Sequence, residues 1–493
     1  MALITKRQVL TAATAAAGLA AAGRVMAQPA APPFVTRHQG VFNGERVRYV
    51  ATVAETVVTN PAGAPAVRFV TTSYVREGVD KARRPVLFAF NGGPSSSSAT
   101  LHMVALGPKR ILVAQDLDAP EPPPQTVDNA ECVLDVADIV MIDPPETGFS
   151  RVLAGGSRED VYSVNGDARA VSDFVLAWSR ANGREASPKY VLGESYGTIR
   201  AAMMAGLLAQ TAPLDGVFLF GQAVNMIETS QRAKNALAYA TNLTALAAIA
   251  AYHGRAERSD RPVGEIIDEA WTWGMGPYLM ALVRGYDLPQ AERTQIVARL
   301  QALTGIGADY YLANDLAITK IAFARELLKD KGLRLGTYDA RYVGPVPADG
   351  ERTPDPSAKP MRAIEPMMLE HYARFLNVPW SAAEYRPSAP ETGDWEWNGT
   401  LGPGGPFLDF DYPAEISKAF AANPDFRLMI GTGVYDLTTT VGPARYMVAR
   451  SDYPRDRVIQ REYVGGHMAY TDERTLKAFN GDIRVFVTGG KPA

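Results

Sequence analysis

Four short runs constrain this chain more than anything else in it: PVLFAFNGG (85–93), ADIVMIDPP (137–145), KYVLGES (189–195) and GVFLFGQ (216–222). Each is apolar without a break for a few residues and then stops at Gly, Pro or an acidic residue. Strands covered on both faces of a parallel sheet read this way, since no wet face demands alternation. Helical patterns fall between them, clearest in ARAVSDFVLAWSR (168–180) and TIRAAMMAGLLAQ (198–210). Strand and helix in alternation predict an α/β fold with right-handed crossovers. Ahead of these runs, ERVRYVATVAETVV (45–58) and AVRFVTTSYV (66–75) alternate in the manner of an antiparallel hairpin.

At 493 residues the chain exceeds one ordinary core, which predicts a large domain carrying an insertion, or two domains. The insertion is visible as a change of texture. Residues 230–335 are rich in Ala and Leu with helical periodicity, and two Pro/Gly-dense loops follow at 343–360 and 386–406. FRLMIGTG (426–433) and RVIQREYVGG (457–466) then resume the strand pattern, with helical stretches on either side. The expected organisation is residues 28–225 as the first part of the α/β core, 226–400 as a mainly helical cap, and 401–493 as the rest of the core.

Residues 1–27 carry Lys6 and Arg7, an Ala-rich weakly apolar run, and small residues before Gln28. That is the layout of a signal peptide, of Sec or Tat-like type, and it predicts an exported protein, periplasmic or secreted. Cys132 is the only cysteine, so no intramolecular disulfide forms. A formal charge of −3 without blocks of like charge gives no footprint for nucleic acid or an anionic membrane. No other run approaches the about 20 apolar residues of a membrane span. The single Cys and five scattered His offer no metal-ligand cluster, and neither metal nor organic cofactor is expected.

Ser195 lies in Gly193-Glu194-Ser195-Tyr196-Gly197, between a buried strand pattern and a helix pattern. This G-x-S-x-G in strand–turn–helix context is that of a nucleophile elbow, against the plainer reading of a serine in a tight turn. A serine hydroxyl needs a base oriented by a third group. His467, in EYVGGHMAYTD after the last strand pattern, is the candidate base. Asp436, in GTGVYDLTTTVG, is the candidate orienting acid, its alternative being a helix N-cap. The order Ser195, Asp436, His467 is that of α/β-hydrolases. NGGPSSSS begins where PVLFAF ends, and the backbone N–H groups of Gly93 and Tyr196 are the candidate oxyanion hole.

Together these pieces resemble the serine carboxypeptidase family, through NGGPSSSS (91–98), ADIVMIDPPETGFSRV (137–152), GESYGT (193–198), GVYDLTT (433–439) and VGGHMAYT (464–471). The resemblance implies an α/β-hydrolase fold, a mostly parallel central sheet flanked by helices with a helical cap, and a serine acyl-enzyme acting on a peptide with a free C-terminus. It further implies that Asn91 and Glu194 hold the substrate carboxylate. Two of the family's helpers are absent: Ala105 stands where a second glutamate is usual and Ala89 where a tryptophan is. Glu194 is therefore expected to lack its partner, and activity to peak at a less acidic pH than in the family. An esterase or acyltransferase on the same triad is the alternative, and a non-catalytic binding protein the remaining one. Five tryptophans, Trp271, Trp273, Trp380, Trp395 and Trp397, fall in the cap and return loop, where core packing is the first expectation and a specificity pocket the second.

Overall fold

The computed structural model describes residues 32–348, 351–390, 392–397 and 411–490. Residues 1–27, the expected signal peptide, and the residues where the core was expected to resume, 401–410, lie outside the described residues.

Strands β1 (Phe34–Phe42), β2 (Glu45–Thr59) and β3 (Pro65–Arg76) open the chain, followed by β4 (Val86–Phe90) and β5 (Asp138–Ile142). Helix α1 (Val164–Ala181), β6 (Lys189–Glu194), α2 (Tyr196–Leu208) and β7 (Gly216–Phe220) complete the first part. All four apolar runs are strands. They join one ten-stranded sheet in the order β1-β2-β3-β5-β4-β6-β7, extended by β8 (Arg427–Gly433) and β9 (Val458–Tyr463), while Arg151–Val152 pairs with β3 off that path. From β5 to β9 every pairing is parallel. The leading strands are antiparallel, and the expected hairpin is a three-stranded meander because FVTRHQGVF pairs with β2 as well.

Alternate residues of the central strands feed two cores. Leu87, Ile139, Leu192 and Phe218 face one side with Phe479, Ile483 and Phe486 of the C-terminal helix Glu473–Thr488. Phe88, Val140, Val191 and Leu219 face the other, against α1 and α2. Both faces are dry, which is why these strands carry no polar alternation.

Helices α3 (Ala236–Tyr252), α4 (Val263–Trp273) and α5 (Gln290–Thr304) build a third apolar cluster that runs on to Ala340 and takes in Val434 and Leu437 from the loop after β8 and Val441 from the helix that follows. Not all of 226–400 belongs to it. Ile364, Met368, Tyr372 and Tyr385 pack into the core beside β3 and β4 instead, so the span read as one cap divides by packing near residue 360. His371 accordingly lies under the sheet's own core, bonded through Nε2 to the Tyr74 hydroxyl (2.9 Å), which also meets His102 Nε2 at 2.6 Å. Among the tryptophans, Trp273 stacks on Tyr278, Trp380 meets Phe34 and Phe149, and Trp395 and the more exposed Trp397 meet Tyr196 edge-on. Asn242 is fully buried within α3. No helix among the described residues is long and apolar enough to cross a membrane.

Candidate active site

Ser195 follows β6 directly, at φ 58° and ψ −128°, a conformation sparsely populated by residues with a side chain. The turn closes so tightly that a Cβ on Gly193 would stand 2.1 Å from the Gly197 carbonyl oxygen. Ser195 is the N-cap of α2, yet its side chain makes no capping bond. Its N–H donates to the Phe220 carbonyl at the end of β7 (2.9 Å), and its side chain is partly exposed amid buried neighbours. A plain turn serine would have spent its hydroxyl on the helix; this one leaves it available.

The loop after β4 lies backbone to backbone against that elbow. A Cβ on Gly92 would fall 2.5 Å from the Tyr196 nitrogen and 2.5 Å from the Glu194 oxygen. Tyr196, as the first residue of α2, has an N–H with no intrahelical acceptor. Gly93 sits at φ 111°, in the region that favours glycine. Arg200, fully buried on α2, fixes the loop from behind. Its Nε donates to Asp167 Oδ2 of α1 (2.7 Å), its Nη1 donates to the Asn91 carbonyl (3.0 Å), and its guanidinium lies over the Phe90 and Tyr196 rings.

At the far side of the same strand ends, His467 Nδ1 lies 2.6 Å from Asp436 Oδ2. Asp436 is completely buried and saturated with donors. Oδ1 accepts from the Thr438 N–H and hydroxyl, each at 2.6 Å, and Oδ2 from the Thr439 hydroxyl at 2.6 Å. It does not cap the next helix, whose N-cap is Thr440. Burial pushes the Asp436 carboxyl up, but the charge and hydrogen bond of His467, with the two threonine hydroxyls, hold it below its ordinary value. For His467, burial opposes the charged ring, and Asp436 and the Glu194 charge raise it above the ordinary value nonetheless. The His467 ring also borders β7: a Cβ on Gly221 would stand 3.1 Å from its Cε1, one residue beyond the Phe220 carbonyl that holds Ser195. The elbow, the Gly-Gly loop and the His–Asp pair thus meet at the carboxyl ends of β4, β6, β7, β8 and β9.

Glu194 has no second glutamate beside it from position 105, and a phenol bonds to it instead. The Tyr470 hydroxyl donates to Glu194 Oε2 at 2.5 Å, and the Asn91 side chain helps to lower the same carboxyl. Burial pushes this carboxyl up to about 7, against the opposing pull of the His467 charge and those two side chains. Ala105 lies in the buried turn Leu101–Leu106 and contributes only its carbonyl, which accepts from Asn129 and Asn480.

Several neighbours had no prominent signal in the sequence. The His467 N–H donates to the Tyr338 carbonyl (2.5 Å) and the Gly466 N–H to Asp339 Oδ2 (3.1 Å), so a segment within the inserted region clasps the histidine loop. Lys320 donates through Nζ to the Thr438 carbonyl (2.7 Å), and burial lowers its ammonium despite the nearby Asp436 charge. The threonines were legible in principle, standing as TTT just past Asp436. Tyr470, three residues beyond His467, was equally in view. Tyr338, Asp339 and Lys320 are brought in only by long-range folding.

The sheet order, its parallel centre and the strand–serine–helix turn are those of the α/β-hydrolase fold. Residues 71–217, less than half of the chain, match the family described as serine carboxypeptidase, in agreement with the motif resemblance. No curated protein matches this chain. Among solved structures, it is similar to the proline iminopeptidase of Mycobacterium smegmatis (12% identity, 92% of this chain and 98% of that one, TM-score 0.36). It is likewise similar to a haloalkane dehalogenase variant from Bradyrhizobium elkanii (12% identity, 92% and 97%, TM-score 0.34). A peroxisomal α/β-hydrolase from Saccharomyces cerevisiae aligns at 10% identity over 94% and 91% of the two chains, with a TM-score of 0.32. Nothing about the site follows from likeness at these scores.

Proposed function

We propose that the protein is an exported serine carboxypeptidase that removes the C-terminal residue of a peptide with a free carboxylate. The observation that carries the reading is the buried Glu194 carboxyl, held by Tyr470 and Asn91 one residue before Ser195. A carboxyl that keeps its proton near neutrality donates a hydrogen bond to a substrate carboxylate, where an ionised one would repel it. In this mechanism His467 takes the Ser195 proton as Oγ bonds to the scissile carbonyl carbon. The N–H groups of Gly93 and Tyr196 receive the oxyanion. The imidazolium, steadied by Asp436, gives its proton to the leaving amine, and water then cleaves the acyl-enzyme through the same base.

An esterase or acyltransferase is the second reading, favoured by Ala89 and Ala105 at positions where the family's carboxylate helpers stand. Comparing an N-blocked dipeptide acid with its C-terminal amide and with an N-blocked amino-acid ester separates the two. The carboxypeptidase reading expects the acid to have the higher kcat/KM than the amide; equal handling of acid and amide overturns it. Labelling by a fluorophosphonate probe is expected in the folded protein and absent in Ser195→Ala. Labelling that survives that substitution overturns the nucleophile assignment.

A further inference from the structure

The hydrogen bond on the Glu194 carboxyl distinguishes its two oxygens, because the Tyr470 phenol reaches only Oε2. The Leu101 N–H donates to Asn91 Oδ1 (3.0 Å), which turns the amide so that its NH2 group faces the other way. That NH2 group favours the charged forms of the Tyr470 phenol and the Glu194 carboxyl. The Tyr470 phenol donates to Glu194 Oε2. Tyr470 is fixed in turn by burial, its ring packed on Phe220 and Phe479. The phenol thus engages one chosen carboxyl oxygen, Oε2, of Glu194.

We propose that Tyr470 is a positioning residue that dictates which Glu194 oxygen carries the acid proton, reserving Oε1 to donate to the carboxylate of the substrate. With Oε2 already accepting from the phenol, the carboxyl's own proton belongs on Oε1. Two carboxyls sharing a proton have no such preference, whereas a phenol donor beside a single carboxyl does. The inference rests on the carboxypeptidase reading. It deepens it by giving the lone Glu194 a defined proton-bearing face without a second acid.

The test compares the full-length wild type with Tyr470→Phe and Glu194→Gln on an N-blocked dipeptide acid and an N-blocked amino-acid ester, from pH 5 to 9. Tyr470→Phe is expected to raise KM for the acid about tenfold, the scale of one lost hydrogen bond to an ionisable group, with kcat within about twofold and much less effect on the ester. Losing a donor to the carboxylate favours its protonated form, so the alkaline limb of kcat/KM for the acid moves to higher pH. Glu194→Gln, whose amide oxygen still accepts from Tyr470, is expected to bind the acid with no such limb. Equal slowing of acid and ester by Tyr470→Phe, or an unmoved limb, overturns the positioning role. If Tyr470→Phe folds poorly, a limb that persists in Glu194→Gln overturns it instead. A wild type that prefers the ester and shows no pH-dependent KM for the acid defeats the carboxypeptidase reading itself.

Discussion

Replacing Arg200 with Met probes stability and the oxyanion loop together. The side chain is fully buried, and in the native protein it answers the buried Asp167 carboxylate and the Asn91 carbonyl at once. Met matches the stem and removes the charge, leaving Asp167 without its partner cation. Breaking one side of a buried pair costs about 3–5 kcal/mol, against a total stability of roughly 5–15 kcal/mol. Restoring neutrality with Asp167→Asn in the same chain is expected to recover about 1–3 kcal/mol of that loss, as for buried pairs replaced together. The pH dependence adds a signature. Burial already raises the Asp167 carboxyl despite Arg200, and without the arginine it rises further. A carboxyl raised in the folded state binds more protons there than in the unfolded chain, so its contribution is full below the unfolded pKa and fades as pH climbs through the folded one. The destabilisation by Arg200→Met is therefore expected to be larger at pH 8 than at pH 5. Denaturant midpoints of the single and double variants at both pH values measure this. Equal midpoints for Arg200→Met and the double variant, with no pH dependence, refute the reasoning.

Asp436→Asn is expected to lower kcat about 10³–10⁴-fold with the fold intact, measured on any acyl substrate. The Thr438 N–H and hydroxyl demand an oxygen at Oδ1, so the amide nitrogen faces His467 and forces the proton onto Nε2, where it disables the base. Gly92→Ala places a methyl 2.5 Å from the Tyr196 nitrogen, parting the two proposed oxyanion donors. A fall of about 10²–10³-fold in kcat is expected, read by single-turnover acylation.

The strands, the elbow and the order of the three candidate residues were legible because each is written locally: an apolar run, a glycine bracket, a loop after a strand. β1 escaped notice since FVTRHQGVF is half polar and buries only Phe42 among its side chains. The partner of Glu194 escaped because the search was for another acid, and a phenol satisfies the same carboxyl from a different loop. Tyr338 and Asp339 were invisible for a deeper reason. Their task is done by a main-chain carbonyl and a carboxylate more than a hundred residues from the loop they hold, and no local pattern announces such a contact.

That clasp bears on how the two parts of the chain can change independently. The inserted region supplies the carbonyl that fixes the His467 backbone and the lysine that bonds beside Asp436. Trimming the insertion to widen access, or grafting in another, would unseat His467, the proposed base, rather than merely reshape an entrance. Variation in the region is therefore freest on α4 and α5, away from this clasp. The stretch from Lys320 to Asp339 must travel with the histidine loop as one unit.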